Sequence, residues 1–311
     1  MKQIIAFIRL IRWPNLLFII ITQSLFMYCV IFPLYNQAGL HPFLTGKNFI
    51  LLCLSSVLIA AAGYIINDYF DLNIDLINKP HKIIVDRLIS RRWTIILHFF
   101  LSIAGIFIGF YLDFTTRIWF VGITNLACAL MLFLYSVSLK RKFLAGNILI
   151  SLLTAWVILV IPWCENKHLF GNNTLLQTDK ILRISFLYAG FAFIISLIRE
   201  VIKDMEDTEG DRKQGCTTLP IIWGISAARI FVAACGILLI IILLVIQVYL
   251  IQLRWWLAIA YFILLVIIPL ARCLQLLFKA NEPAAFHRLS TYIKLIMLAG
   301  ILSLFFFKLY N

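Results

Sequence analysis

Apolar residues run along this chain in nine stretches of about twenty, separated by short segments that collect nearly all the charge. A helix needs about 20 residues to cross a hydrocarbon core, so each stretch reads as one crossing. The pattern predicts spanning helices over 14–35, 47–67, 92–112, 117–138, 143–163, 181–203, 226–250, 254–278 and 289–309. Ahead of them, residues 1–13 (MKQIIAFIRLIRW) mix basic and apolar positions and read as a short helix lying in the membrane interface. The expected fold is all-α and polytopic, a single domain over 1–311.

Composition agrees. Hydrophobic residues make up 63% of 311, charged residues 13%, and mean hydropathy is +1.00, which excludes a soluble domain. The net charge of +13 has no basic tail or soluble basic domain to carry nucleic acid, so no nucleic-acid partner is expected. It sorts by loop instead. The N-terminus and the second, fourth, sixth and eighth loops, with their helix ends, hold 20 of the 27 Lys and Arg. By the positive-inside rule the N-terminus and these loops are expected in the cytoplasm, with the C-terminus outside. No small-residue cleavage site follows the first apolar run, so no cleavable signal peptide is expected. The seven cysteines are scattered singly and read as small apolar residues.

Acidic residues are concentrated. Of 14 Asp and Glu, nine fall in NDYFDLNID (67–75) and EVIKDMEDTEGD (200–211). Asp68, Asp71 and Asp75 match Asp204, Asp207 and Asp211 at a constant offset of 136 residues, each set at the basic-loop end of a predicted span. That is the trace of an internal repeat, two four-helix units with their acidic motifs face to face around a central cavity. Spacings of three, four and seven place each set on one helical face. Carboxylates so close repel unless cations neutralise them. Opposed across a cavity they suit Mg²⁺, which takes one or two carboxylates and completes its octahedron with water and substrate phosphate. Nearby Lys79, Lys82, Arg87, Lys140, Arg141, Arg199, Lys203 and Arg212 would meet the remaining phosphate oxygens. Solvated helix ends are the competing reading for one motif, but acids at membrane depth are functional by default.

The two motifs resemble those of the UbiA superfamily of intramembrane prenyltransferases, N-D-x-x-D-x-x-x-D followed later by D-x-x-x-D. The resemblance extends through the RWPN turn (Arg12–Asn15), the helix count and the motif order. Within the superfamily, IKDMEDTEGD and YSVSLKRKFLAGN (Tyr135–Asn147) are similar to digeranylgeranylglyceryl phosphate synthases; chlorophyll synthase-like members are a second match. One departure is KIIVDRLISRR, where members often carry a Pro/Gly/Ser-rich turn. The resemblance implies a polyprenyl diphosphate docked between the motifs through Mg²⁺, or Mn²⁺, on Asn67, Asp71, Asp207 and Asp211. It implies diphosphate contacts from Lys140, Arg141, Arg199, Lys203 and Arg212, with Asn15 and Tyr135 as further substrate-binding residues. Asp68, Asp75 and Asp204 are the implied catalytic acids, one of them taking the acceptor's proton. The acceptor is expected to be a glyceryl phosphate lipid joined through an ether; a quinone precursor or a chlorophyllide is the alternative. Membrane lipids are the other expected partner, in a bacterial or archaeal cell membrane.

Two other classes fit less well. A transporter would place paired acids at span centres. A CDP-alcohol phosphatidyltransferase would need a D-G-x-x-A-R string, which is absent. The five histidines lack ligand spacing, G-N-N-T from Gly171 reads as a loop, and Trp255–Trp256 read as an interfacial belt.

Overall fold

A computed structural model describes residues 2–37, 39, 41–78, 83–165 and 175–310, among which helix dominates. Lys79, His81, Lys82, His168 and the stretch from Gly171 to Thr174 lie outside the described residues. Helix α1 (Lys2–Leu10) buries Ala6 and Leu10 and leaves Ile4, Ile5 and Ile8 exposed, as an interfacial helix requires. After the turn at Arg12 come α2 (Trp13–Gln37), α3 (Gly46–Asn78), α4 (Arg91–Thr116), α5 (Val121–Val137) and α6 (Ala145–Cys164). Then follow α7 (Leu175–Glu206), the short α8 (Thr208–Lys213), α9 (Gly224–Gln252), α10 (Trp256–Leu277) and α11 (Pro283–Tyr310).

Eight of these helices are long and apolar enough to cross a membrane; α5, where the fourth span is predicted, has 17 residues. At ~1.5 Å per residue that is about 25 Å, just short of a typical core. Outward faces carry Phe107, Ile230, Val245 and Leu257, all more than half exposed, as lipid contact demands. Interior faces close through small residues: a Cβ on Gly105 of α4 would lie 2.9 Å from Ile59 of α3.

Two wide π-turns, Met27–Ile31 and Ile263–Ile267, stand just before Pro33 and Pro269. Proline cannot donate to the carbonyl four residues back, and the helix widens to absorb the defect.

Each predicted unit begins in the same way. Arg12 (φ 51°) and Leu144 (φ 50°) are left-handed residues that precede α2 and α6, and Asn15 and Asn147 stand third in those helices. The second helix of each unit, α3 with 33 residues and α7 with 32, carries an acidic motif.

Two expectations change. The apolar window ends at 67, yet α3 continues to Asn78, because Leu72 and Ile74 keep burying one face. The first motif therefore sits inside a helix rather than at its end. In the second motif the helix is interrupted at Asp207 and resumes at Thr208. Trp255 also departs from the interfacial reading: it is buried, stacked on Tyr310 at 4.8 Å, while Trp256 is exposed.

Candidate active site

The two motifs meet at Asn78, the last residue of α3. Its Nδ2 donates to the Asp207 carbonyl at 3.1 Å, and its Oδ1 accepts the Gly210 N–H at 2.9 Å. A Cβ at position 210 would lie 2.5 Å from the Asn78 amide, so any side chain there would displace this contact. One side chain thus pins the interruption of the second motif against the end of the first.

Around that contact the acids are held individually. Asp68 pairs with Arg12 at 2.5 Å, and Arg12 also covers the Tyr64 ring at 5.3 Å. Burial opposes the Arg12 charge, but Asp68 more than offsets this and holds the guanidinium above its ordinary pKa. Asp71 accepts from Asn67 Nδ2 at 2.6 Å and from Lys140 Nζ at 2.5 Å. Burial pulls the Lys140 pKa below its usual value, against the opposing pull of Asp71. Asp75 is half-buried and within electrostatic range of the same lysine. Asp204, the repeat partner of Asp68, accepts from Asn147 Nδ2 at 2.8 Å. The opening turn of each unit's first helix therefore holds the first aspartate of that unit's motif, by a cation in one unit and a neutral amide in the other.

Asp211 is buried, and its carbonyl accepts the Cys216 N–H at 3.0 Å. The Cys216 thiol, pushed up to about 11 by burial first and then by Asp211, also feels Asp71, Lys140 and Arg141. Both motifs therefore converge on one small region.

Beside it lies a cavity of about 280 Å³. Its wall near the motifs is polar, with Arg12, Asn15, Asn67, Tyr135, Arg199 and Lys203; deeper in, it becomes apolar, with Phe18, Leu132, Trp156 and Phe191 among the lining. Glu200 bridges Arg199 and Lys203 at 2.9 Å each. Tyr135 lies in electrostatic range of Asp71 on one side and of Glu200 and Asp204 on the other. Arg141 ties the loop before α6 to the segment after α8, its carbonyl accepting the Thr217 N–H at 2.7 Å. Arg212 is exposed on α8. Asn78, Asn147, Gly210 and Lys294 escape sequence reading; the matching Asn at the third position of α2 and α6 is the one signal that could have found Asn147.

Among the described residues no three His, Cys, Asp or Glu side chains converge enough to hold a metal unaided. The donor set still fits Mg²⁺. Lys140 Nζ, 2.5 Å from Asp71 and 3.4 Å from the Asn67 amide oxygen, occupies a cation position between hard oxygens. A site with few protein ligands is what a metal that also binds substrate phosphate uses.

The UbiA prenyltransferase family matches residues 17–306. The chain is 34% identical to the digeranylgeranylglyceryl phosphate synthase of Methanothermobacter thermautotrophicus, over 61% of this chain and 62% of that one. It is 31% identical to the digeranylgeranylglyceryl phosphate synthase of Korarchaeum cryptofilum, over 82% of this chain and 84% of that one. Among solved structures, a UbiA homologue from Archaeoglobus fulgidus bound to DMAPP and Mg²⁺ shares the fold. Its TM-score is 0.59 at 14% identity, covering 96% of this chain and 99% of that one.

Proposed function

Because the chain belongs to the UbiA prenyltransferase family, we propose that it transfers a prenyl group from a polyprenyl diphosphate to the hydroxyl of a glyceryl phosphate lipid, forming an ether. The observation that carries the reading is the Asn78 contact, which holds the second acidic motif against the first, whose Asn67 lines a cavity with an apolar interior. The identity to digeranylgeranylglyceryl phosphate synthases supports the choice of acceptor.

Asn67, Asp71, Asp207 and Asp211 would hold Mg²⁺, which supplies positive charge to the diphosphate as it departs. Lys140, paired with Asp71, and its neighbour Arg141 would meet the diphosphate oxygens. Its prenyl tail extends into the apolar half of the cavity, which excludes water from the reacting carbon. The C1–O bond to the diphosphate breaks, C1 carries the allylic positive charge, and the acceptor oxygen bonds to C1. The protonated ether is a strong acid, so even an ion-paired carboxylate such as Asp68 takes its proton. Asp75, half-buried on the same face of α3, and Asp204 are the other carboxylates in reach of that role. The charge pattern supports motifs and basic loops facing the cytoplasm.

The test is incubation of purified protein with Mg²⁺, a radiolabelled prenyl diphosphate and a panel of acceptors: a prenylglyceryl phosphate, quinone precursors and chlorophyllide. A labelled diether phosphate is the expected product. Labelling of only an aromatic acceptor would overturn the assignment and leave the family intact.

A further inference from the structure

The diphosphate and its metal account for the motif aspartates, but they leave a group of cations on the cavity wall. Arg12, Arg199, Lys203 and Lys294 all line the cavity. Asp68 answers Arg12, and Glu200 is shared by Arg199 and Lys203. Asp204, a turn further on, accepts from the neutral Asn147 amide instead of pairing with one of these cations. Four cations against Asp68 and Glu200 leave two positive charges. Lys294, on α11, is met by a neutral group, donating to Asn15 Oδ1 of α2 at 2.7 Å, with the Phe18 ring at 5.2 Å. Arg199 spends NH1 on Glu200 while its Nε is buried without a hydrogen-bond partner. Cations within membrane depth are costly unless paired, and a surplus facing a cavity marks a place for an anion.

Arg199 and Lys294 bond to Glu200 and Asn15 rather than to a motif aspartate. Arg199 precedes Asp207 by eight residues, about 12 Å along the helix at ~1.5 Å per residue. Lys294 sits in the middle of α11 and donates there to α2, not to either motif-bearing helix.

We infer that Lys294, Arg199 and Asn15 form a second anion site in the cavity, which takes the phosphate monoester of the acceptor without a metal ion. A dianionic phosphate matches the surplus of two charges, and its oxygens offer acceptors to the Arg199 guanidinium and the Lys294 ammonium. Asn15 then positions the ammonium rather than serving as its sole partner. The inference rests on the glyceryl phosphate reading of the acceptor. Lys140, paired with Asp71, is left to the diphosphate.

Two probes separate the possibilities, a prenylglyceryl phosphate and the same glycerol ether without its phosphate, each measured by equilibrium binding to the full chain in EDTA. The wild type binds the phosphorylated probe without metal, at least about tenfold more tightly than the unphosphorylated one. Lys294→Gln and Arg199→Gln each remove about tenfold of that affinity, the effect of one charge-assisted hydrogen bond, and spare the unphosphorylated probe. Lys294→Arg retains the preference, which guards against loss through misfolding. In turnover, Lys294→Gln raises KM for the phosphorylated acceptor and leaves KM for the prenyl diphosphate unchanged. Binding that needs Mg²⁺ and is lost in Asp71→Ala, or an equal fall for both probes, overturns the site. Metal-free binding by a wild type that does not prenylate the probe upholds the anion site and overturns the acceptor reading.

Discussion

Replacing Asn78 with alanine tests whether the two acidic motifs work as one site. The side chain makes two bonds across the motif boundary, one donated to the Asp207 carbonyl at 3.1 Å and one accepted from the Gly210 N–H at 2.9 Å. Asn78 is half-buried, so each bond contributes about 0.5–1.5 kcal/mol net. Together they stabilise the docked arrangement by about 1–3 kcal/mol. If only the docked state is active, kcat/KM falls by about five- to 150-fold, since about 1.4 kcal/mol is tenfold. Asn78→Asp is the sharper variant. It can still accept from Gly210, but it cannot donate to Asp207 and adds negative charge beside Asp207 and Asp211, so its loss exceeds that of the alanine variant. The assay is prenyl transfer at subsaturating diphosphate, with thermal unfolding in detergent as the control for global stability. A folded Asn78→Ala enzyme with wild-type kcat/KM refutes the argument that this contact aligns the motifs.

Asp71→Ala and Asp207→Ala are each expected to abolish turnover while the protein stays folded, and the double variant to be no worse than either, because groups acting as a unit are not additive; substantial turnover in either single variant points to solvated helix ends. Diphosphate binding, followed with a labelled prenyl diphosphate, requires Mg²⁺ or Mn²⁺ and disappears in EDTA; undiminished binding in chelator refutes bridging. Glu165 is fully buried and accepts the Phe43 and Leu44 backbone N–H groups at 2.7 and 2.8 Å. Glu165→Ala strands both donors and is expected to cost at least about 2 kcal/mol, seen as a lower Tm with KM unchanged; a wild-type Tm counts against a structural role.

The sequence by itself determined the membrane class, the number and order of helices, and the acidic face of α3. These follow from short-range rules: about twenty apolar residues to span a bilayer, and carboxylates at three- and four-residue spacing on one side of a helix. The constant offset of 136 residues also exposed the repeat, because both units descend through the same pattern. Tertiary structure alone decided what each aspartate touches. Asn78 and Asp207 are 129 residues apart, Asn147 and Asp204 are 57 apart, and Lys294 and Asn15 are 279 apart. No local pattern marks such partners, since a lone Asn or Lys in a helix reads the same whether it faces lipid, a neighbouring carboxylate or a cavity. The extent of α3 past residue 67 was decided in the same way. Polar residues there look like the end of a span, but burial of Leu72 and Ile74 stabilises the helix through the whole motif.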